Sequence, residues 1–176
     1  LVQDKQRVPF TCLATENKYE LQHAVNESVI VKLKGTIDRI DEKDGIVHLY
    51  DYKTSKIDKN AGNGAFTVEK VSQLFESDTY NKHRNESLQL MFYRFITQPI
   101  FSHKNGIACH IYKVRKVFEE EFNATTQVGH PEGWEDVFTE RLNALISDIL
   151  NPQIPFRQTT CTDNCTHCKF KDICGR

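Results

Sequence analysis

Gly35-Thr-Ile-Asp38-Arg-Ile-Asp41 and, past an Asp44-Gly45 pair, Ile46-Val-His-Leu-Tyr-Asp51-Tyr-Lys53-Thr54 are the stretches whose reading decides the fold. Asp-Gly between two apolar runs is a hairpin signal, so Lys32–Asp41 is expected to run against Ile46–Lys53. In the second strand the period of two puts Val47, Leu49, Asp51 and Lys53 on one face, with His48, Tyr50 and Tyr52 on the other. An acid and a lysine therefore project together from the end of a core-facing row. Burying them without partners costs several kcal/mol. A divalent cation between Asp38 and Asp51 offsets that cost, because hard ions such as Mg2+ or Mn2+ take carboxylate oxygens. Lys53 beside it would orient or activate a water, which together makes up the parts that phosphodiester hydrolysis needs. The plainer reading is a structural Asp51–Lys53 ion pair at a strand end, with Asp38 and Asp41 as surface residues of the hairpin. Acid-x-lysine is a common triplet, and this chain holds three of them, at Glu16–Lys18, Asp41–Lys43 and Asp51–Lys53. Only the last lies in an apolar strand behind a second acid, and that context favours a site.

Outward from this core, Val8–Ala14 alternates and predicts a strand, as does Ser28–Lys34 leading through Gly35 into Thr36–Asp41. Asp58–Gly64 is a polar loop, followed by a helical pattern with Val68, Val71, Leu74 and Phe75 on one face. Glu86–Thr97 predicts a helix that is apolar almost all round and hence buried. Gly106–Val114 predicts another strand, with Ile107, Cys109 and Ile111 on one side. Pro131–Leu150 predicts a long amphipathic helix with Trp134, Phe138, Leu142, Leu145 and Ile149 inward, stopped by Pro152 and Pro155. The class is α/β, a mixed sheet flanked by helices. Residues 1–150 are expected to form the core and 151–176 a Cys-rich tail.

A near-neutral balance of 23 basic and 24 acidic residues excludes a polycationic tail but permits a basic groove beside an acidic metal site. No run of about 18 apolar residues exists to cross a membrane, and the start has no apolar signal segment. The chain lacks an initiator Met and reads as a piece of a longer protein. Of six cysteines, Cys161, Cys165, Cys168 and Cys174 fall within the last sixteen residues. Such clustering favours a metal or iron–sulfur centre in a reducing compartment, hence a cytoplasmic protein, over a secreted disulfide framework. A zinc knot of these four, or a variant using His167, is the competing reading. Cys12 and Cys109 sit on apolar strand faces and are expected in the core.

With these residues in hand, Gly35–Asp41 followed by Asp51-Tyr-Lys53-Thr54 resembles the PD-(D/E)XK nuclease core of RecB/AddB-type DNA-repair exonucleases. Gln89-Leu-Met-Phe-Tyr93 is similar to that family's Q-L-x-x-Y motif, and on a helix Gln89 and Tyr93, four apart, share a face. The resemblance implies a restriction-endonuclease-like fold, with Asp38, Asp51 and Lys53 carrying the metal site and Gln89 and Tyr93 placing DNA or catalytic groups. Cys165-x2-Cys168-x5-Cys174 resembles the C-terminal iron–sulfur signature of the AddB-like branch, where a further upstream cysteine completes a [4Fe-4S] cluster. The fourth ligand is expected upstream of Leu1, unless Cys12 serves, so that the intact protein is expected to carry [4Fe-4S] and the isolated chain a local Zn2+ site through Cys161, or no metal at all. The family's upstream metal-binding His has no counterpart, since His23 reads as part of a polar linker. The implied function is Mg2+- or Mn2+-dependent DNA cleavage within a helicase–nuclease of double-strand-break repair. No G-x-x-x-x-G-K-S/T loop is present, so the motor belongs elsewhere, on another segment or subunit. A catalytically silent DNA-binding or scaffold module of the same fold is the alternative, and a zinc-stapled regulatory domain a more distant one.

Overall fold

The computed structural model describes residues 2–54, 67–76, 84–117, 125–128, 131–166 and 168–175. A helix α1 (Val2–Arg7) precedes three strands, β1 (Thr11–Ala24), β2 (Ile30–Lys43) and β3 (Ile46–Lys53). Helices α2 (Val68–Gln73) and α3 (Arg84–Phe101) follow, then β4 (Gly106–Lys113), β5 (Thr125–Val128) and α4 (Trp134–Leu150). The sheet has the order β1-β2-β3-β4-β5, antiparallel except for the β3–β4 pair, which is parallel. Parallel neighbours need a crossover, and α3 lies within it. The expected class, a mixed sheet flanked by helices, is the observed one. The loop expected at Asp58–Gly64 lies outside the described residues.

The β2–β3 turn is the Asp44-Gly45 pair, both at positive φ (54° and 76°), the left-handed geometry a two-residue hairpin turn demands. The hairpin differs from expectation in its extent. Only Arg39–Lys43 pairs with β3, while β2 from Ile30 to Glu42 runs along β1. Strand β1 is fourteen residues long and includes the segment read as a polar linker. Its alternation was hidden because the inward set, Tyr19, Leu21 and His23, is only partly apolar, while Lys18, Glu20 and Gln22 face out. His23, far from being unsupported, bonds Asn143 of α4 at 2.6 Å and meets Phe95 edge-on.

One core cluster joins the sheet (Ile37, Ile40, Val47, Leu49, Ile107, Cys109, Ile111) to α3 through Leu90, Tyr93 and Ile96. A second joins the other side of α3, through Met91, to Val71 and Leu74 of the α2 region and to Trp134, Phe138 and Leu142 of α4. Burial on both sides explains why α3 is apolar almost all round. Two expectations fail at the margins. Leu145 and Ile149 of α4 are 41 % and 53 % exposed, because the helix runs on past the edge of its support. Cys12 is exposed, whereas Cys109 is fully buried, its thiol pushed up to about 12 by that burial.

On the opposite sheet face, α1 is held by charge. Asp41 is fully buried and accepts from Arg39 Nε at 2.8 Å and Arg7 Nη1 at 3.2 Å. Asp4 takes Arg39 Nη2 at 3.0 Å, and both guanidinium groups lie over the rings of Phe10 and Tyr50. Removing one member of a buried ionic network strands the rest. Asp41→Ala is therefore expected to cost about 3 kcal/mol in chemical denaturation with an unchanged m-value; a loss below about 1 kcal/mol would mark the network as marginal.

Candidate active site

Strand β3 carries the apolar row Val47 and Leu49 into the core, and the same row ends in Asp51 and Lys53. Asp51 is only 4 % exposed. Lys53 Nζ stands 2.6 Å from Asp51 Oδ2, yet that oxygen is buried and has no hydrogen bond of adequate direction. The contact is thus a charge pair rather than a well-directed hydrogen bond, and among the described residues no other donor is placed at that oxygen. Burial raises the Asp51 pKa, Lys53 opposes the rise, and the nearby charges of Asp38 and Glu86 add to it.

Asp38 reaches this end of the sheet because β2 breaks its alternation there. Ile37 and Ile40 both lie in the core, three residues apart, where an undisturbed strand would return after two or four. On β1, Ala14 and Tyr19 show the same odd spacing, and Glu16 between them has φ 47°. Neither Glu16 nor Asp38 is paired in the ladder, although the flanking pairs Thr15–Arg39 and Asn17–Ile37 keep one register; the register shift of this strand pair lies nearby, between Cys12 and Ala14. The Asp38 carboxylate accepts the Tyr52 backbone N–H at 2.6 Å, which fixes it across the end of β3 between Asp51 and Lys53 in sequence.

Helix α3 supplies the other wall. Lys53 Nζ donates to Gln89 Oε1 at 2.9 Å, and Gln89 Nε2 donates to the Tyr93 hydroxyl at 2.7 Å. The Tyr93 pKa is raised by burial. Asp51, Lys53, Gln89 and Tyr93 thus form one continuous chain of contacts. Asp41, by contrast, is committed to Arg7 and Arg39 on the other face. Two residues escaped the sequence reading. Glu86 lies one turn ahead of Gln89 on the same helix face, close enough to act on Asp51. Lys113, 3 % exposed, pairs in register with Lys53 on the row that includes Cys109 and Ile111. A period-of-two reading of β4 carried to its end would have flagged it.

The cysteine tail follows α4. Cys161, Cys165 and Cys168 are half-buried and Cys174 is exposed; a short 3-10 turn covers Thr162–Cys165. Phe170 N–H donates to Cys168 Sγ at 3.4 Å, and Gln158 Nε2 donates to the Cys174 carbonyl at 2.9 Å, closing the loop. All six thiols are free, and among the described residues no three His, Cys, Asp or Glu side chains gather into one ligating group.

The PD-(D/E)XK nuclease superfamily profile matches residues 2–175. The chain belongs to the PD-(D/E)XK nuclease superfamily. Among curated proteins none matches. A solved structure described as "Crystal structure of SSO0001" is similar at 16 % identity and TM-score 0.47, covering 92 % of this chain; the chain spans 59 % of that protein's length. Membership suggests hydrolase activity on nucleic acids, and PD-(D/E)XK nucleases typically use divalent metals. The residues here fit such an ion. Asp51 presents an unsatisfied buried oxygen, Asp38 a second carboxylate, and Mg2+ commonly keeps several waters while taking only one or two carboxylates.

An incompletely satisfied buried charge is a cost to the metal-free fold. Asp51→Asn, with Lys53 still bonded to Gln89 and partly solvated, is expected to raise the melting temperature in chelator by about 2–4 °C, the equivalent of ~1 kcal/mol in a chain of this size. The same substitution should abolish the further rise that Mn2+ gives the wild type. A lower melting temperature in chelator would show that Asp51 serves the fold rather than a ligand.

Proposed function

We propose that this PD-(D/E)XK domain is a Mg2+- or Mn2+-dependent deoxyribonuclease, of exonuclease type, acting within a helicase–nuclease of double-strand-break repair. The observation that carries the nuclease reading is the buried Asp51, its Oδ2 lacking a hydrogen bond, between Lys53 and the Asp38 edge of the sheet. A divalent cation held by Asp38 and Asp51 would supply Lewis-acid stabilisation of phosphate charge and ease deprotonation of water. Lys53 has three N–H donors; one goes to Gln89, and the ammonium faces Asp51 as a charge rather than through a directed hydrogen bond. A remaining donor is available to a non-bridging phosphate oxygen or to the attacking water. Water adds to phosphorus as the P–O bond to the departing nucleotide breaks, its proton passing to solvent and the leaving oxygen taking one in return. Gln89 and Tyr93 hold the ammonium in place so that no reorganisation is needed as charge builds on the phosphate.

The RecB/AddB-type setting is supported by the order of the three motifs, the acid at Asp38, the Asp51–Lys53 pair and Gln89–Tyr93, and by the cysteine spacing at the C-terminus. In that setting DNA is the substrate, the helicase motor lies on another segment or subunit, and the protein is cytoplasmic. The silent DNA-binding scaffold keeps one observation in its favour, the lack of a three-ligand group among the described residues.

The experiment is cleavage of labelled single-stranded DNA in Mg2+ or Mn2+. Wild type should cut and Asp51→Ala should lose cutting by about a thousandfold, the scale of removing one electrostatic stabiliser, while keeping its circular dichroism. Undiminished cutting by the variant refutes the assignment, and a wild type that binds DNA without cutting supports the scaffold. For the tail, aerobically purified chain is expected to hold Zn2+ through Cys161, Cys165, Cys168 and Cys174, or no metal. A brown protein with about four irons per chain would instead mean that Cys161 or Cys12 completes an iron–sulfur cluster.

A further inference from the structure

We infer that Gly35 is a positioning residue for the lysine of the site, acting through the ring of Tyr93. The inference rests on the nuclease reading above. A methyl group built on Gly35 would stand 3.0 and 3.1 Å from Tyr93 Cε1 and Cδ1 and 2.9 Å from Ile96 Cδ1. All three are closer than ordinary carbon contacts of about 3.5–4.0 Å. The bare backbone of β2 is therefore the floor on which the Tyr93 ring lies. The ring has little room to move away, being 9 % exposed, with the fully buried Ile96 beside it.

The depth of this ring matters because of what its far end does. The Tyr93 hydroxyl accepts from Gln89 Nε2 at 2.7 Å, Gln89 Oε1 accepts from Lys53 Nζ at 2.9 Å, and Lys53 reaches Asp51 Oδ2 at 2.6 Å. A few tenths of an ångström gained at the root of the ring displaces the hydroxyl, and the amide follows or the bond lengthens. Strand β2 thus sets the position of Lys53 from two points, through Asp38 directly at the end of β3 and through Gly35 by way of α3. Gly35 has no need of an unusual backbone here; the requirement is for the absent Cβ.

A glycine needed only for packing and one that aims Lys53 differ in how they couple to Gln89. Gly35→Ala, Gln89→Ala and the double variant are compared for kcat and KM on single-stranded DNA, for melting temperature and for Mn2+ affinity by calorimetry. Gly35→Ala should lower kcat roughly ten- to hundredfold, the penalty of a small misplacement of a catalytic group. KM and Mn2+ affinity should stay near wild type, since Asp38 and Asp51 are untouched. The double variant should be no slower than Gln89→Ala alone, because the arm that transmits the displacement is already gone. In NMR spectra, the Gln89 side-chain amide should shift in Gly35→Ala as it does in Tyr93→Phe, and this readout needs no cleavage.

Losses that multiply in the double variant, or an unmoved Gln89 amide in Gly35→Ala, overturn the inference. If Gly35→Ala does not fold, the set is repeated with Ile96→Val added, which removes the atom at 2.9 Å; a chain that still fails to fold makes Gly35 a packing residue and overturns it too. A wild type that does not cut DNA while the amide shifts as described counts against the nuclease reading alone.

Discussion

A carboxylate at the end of a sheet strand that is 4 % exposed requires opposite charge close by. Asp51 has one, the ammonium of Lys53, and this single pair organises the surrounding elements. Lys53 must be held where it meets Asp51, so Gln89 is brought down on α3. For α3 to come that close, the helix has to lie flat on the sheet, which it does through Leu90, Tyr93 and Ile96 against β2, β3 and β4. The parallel β3–β4 pair goes with this arrangement, since α3 belongs to the crossover that parallel neighbours need.

The two faces of the sheet show two solutions to a buried acid. Asp41 is matched by two guanidinium groups, each also laid over the rings of Phe10 and Tyr50, and hydrogen bonds to Asp41 and Asp4 keep Arg39 firmly protonated. Both Asp41 oxygens are bonded in this network, although Arg7 Nη2 is left without a hydrogen bond. Asp51, ten residues on, has the Lys53 ammonium beside it, an oxygen without a directed hydrogen bond and a raised pKa. A fold built only for stability would treat both acids alike. The difference accords with the proposal that Asp51 is the member left open for a ligand, in keeping with the tendency of perturbed carboxylates to mark functional sites.

The site was legible where chemistry and periodicity coincide. Alternation from Val47 to Lys53 and helical spacing from Gln89 to Tyr93 are both local patterns, and both survive in three dimensions. What stayed hidden was set by tertiary pairing. Nothing local shows that most of β2 prefers β1 to β3, because the β1 side chains facing the core include His23 and the outward ones are charged. The break in alternation at Asp38 depends on a matching left-handed residue, Glu16, on another strand. Helix α1 has too few apolar residues to announce itself, since arginines and aspartates hold it. Leu145 and Ile149 fit the helical stripe of α4 perfectly well but extend beyond the surface it covers.

The central claim is that the gap between Asp38 and Asp51 is a divalent-cation site, and crystals grown with Mn2+ test it most directly. Diffraction at the manganese edge should give an anomalous peak between these two carboxylates, with Lys53 still bridging Asp51 and Gln89, and no peak there in Asp38→Ala. An Asp51 carboxylate paired only with Lys53 at saturating Mn2+, with no peak beside it, would contradict the account.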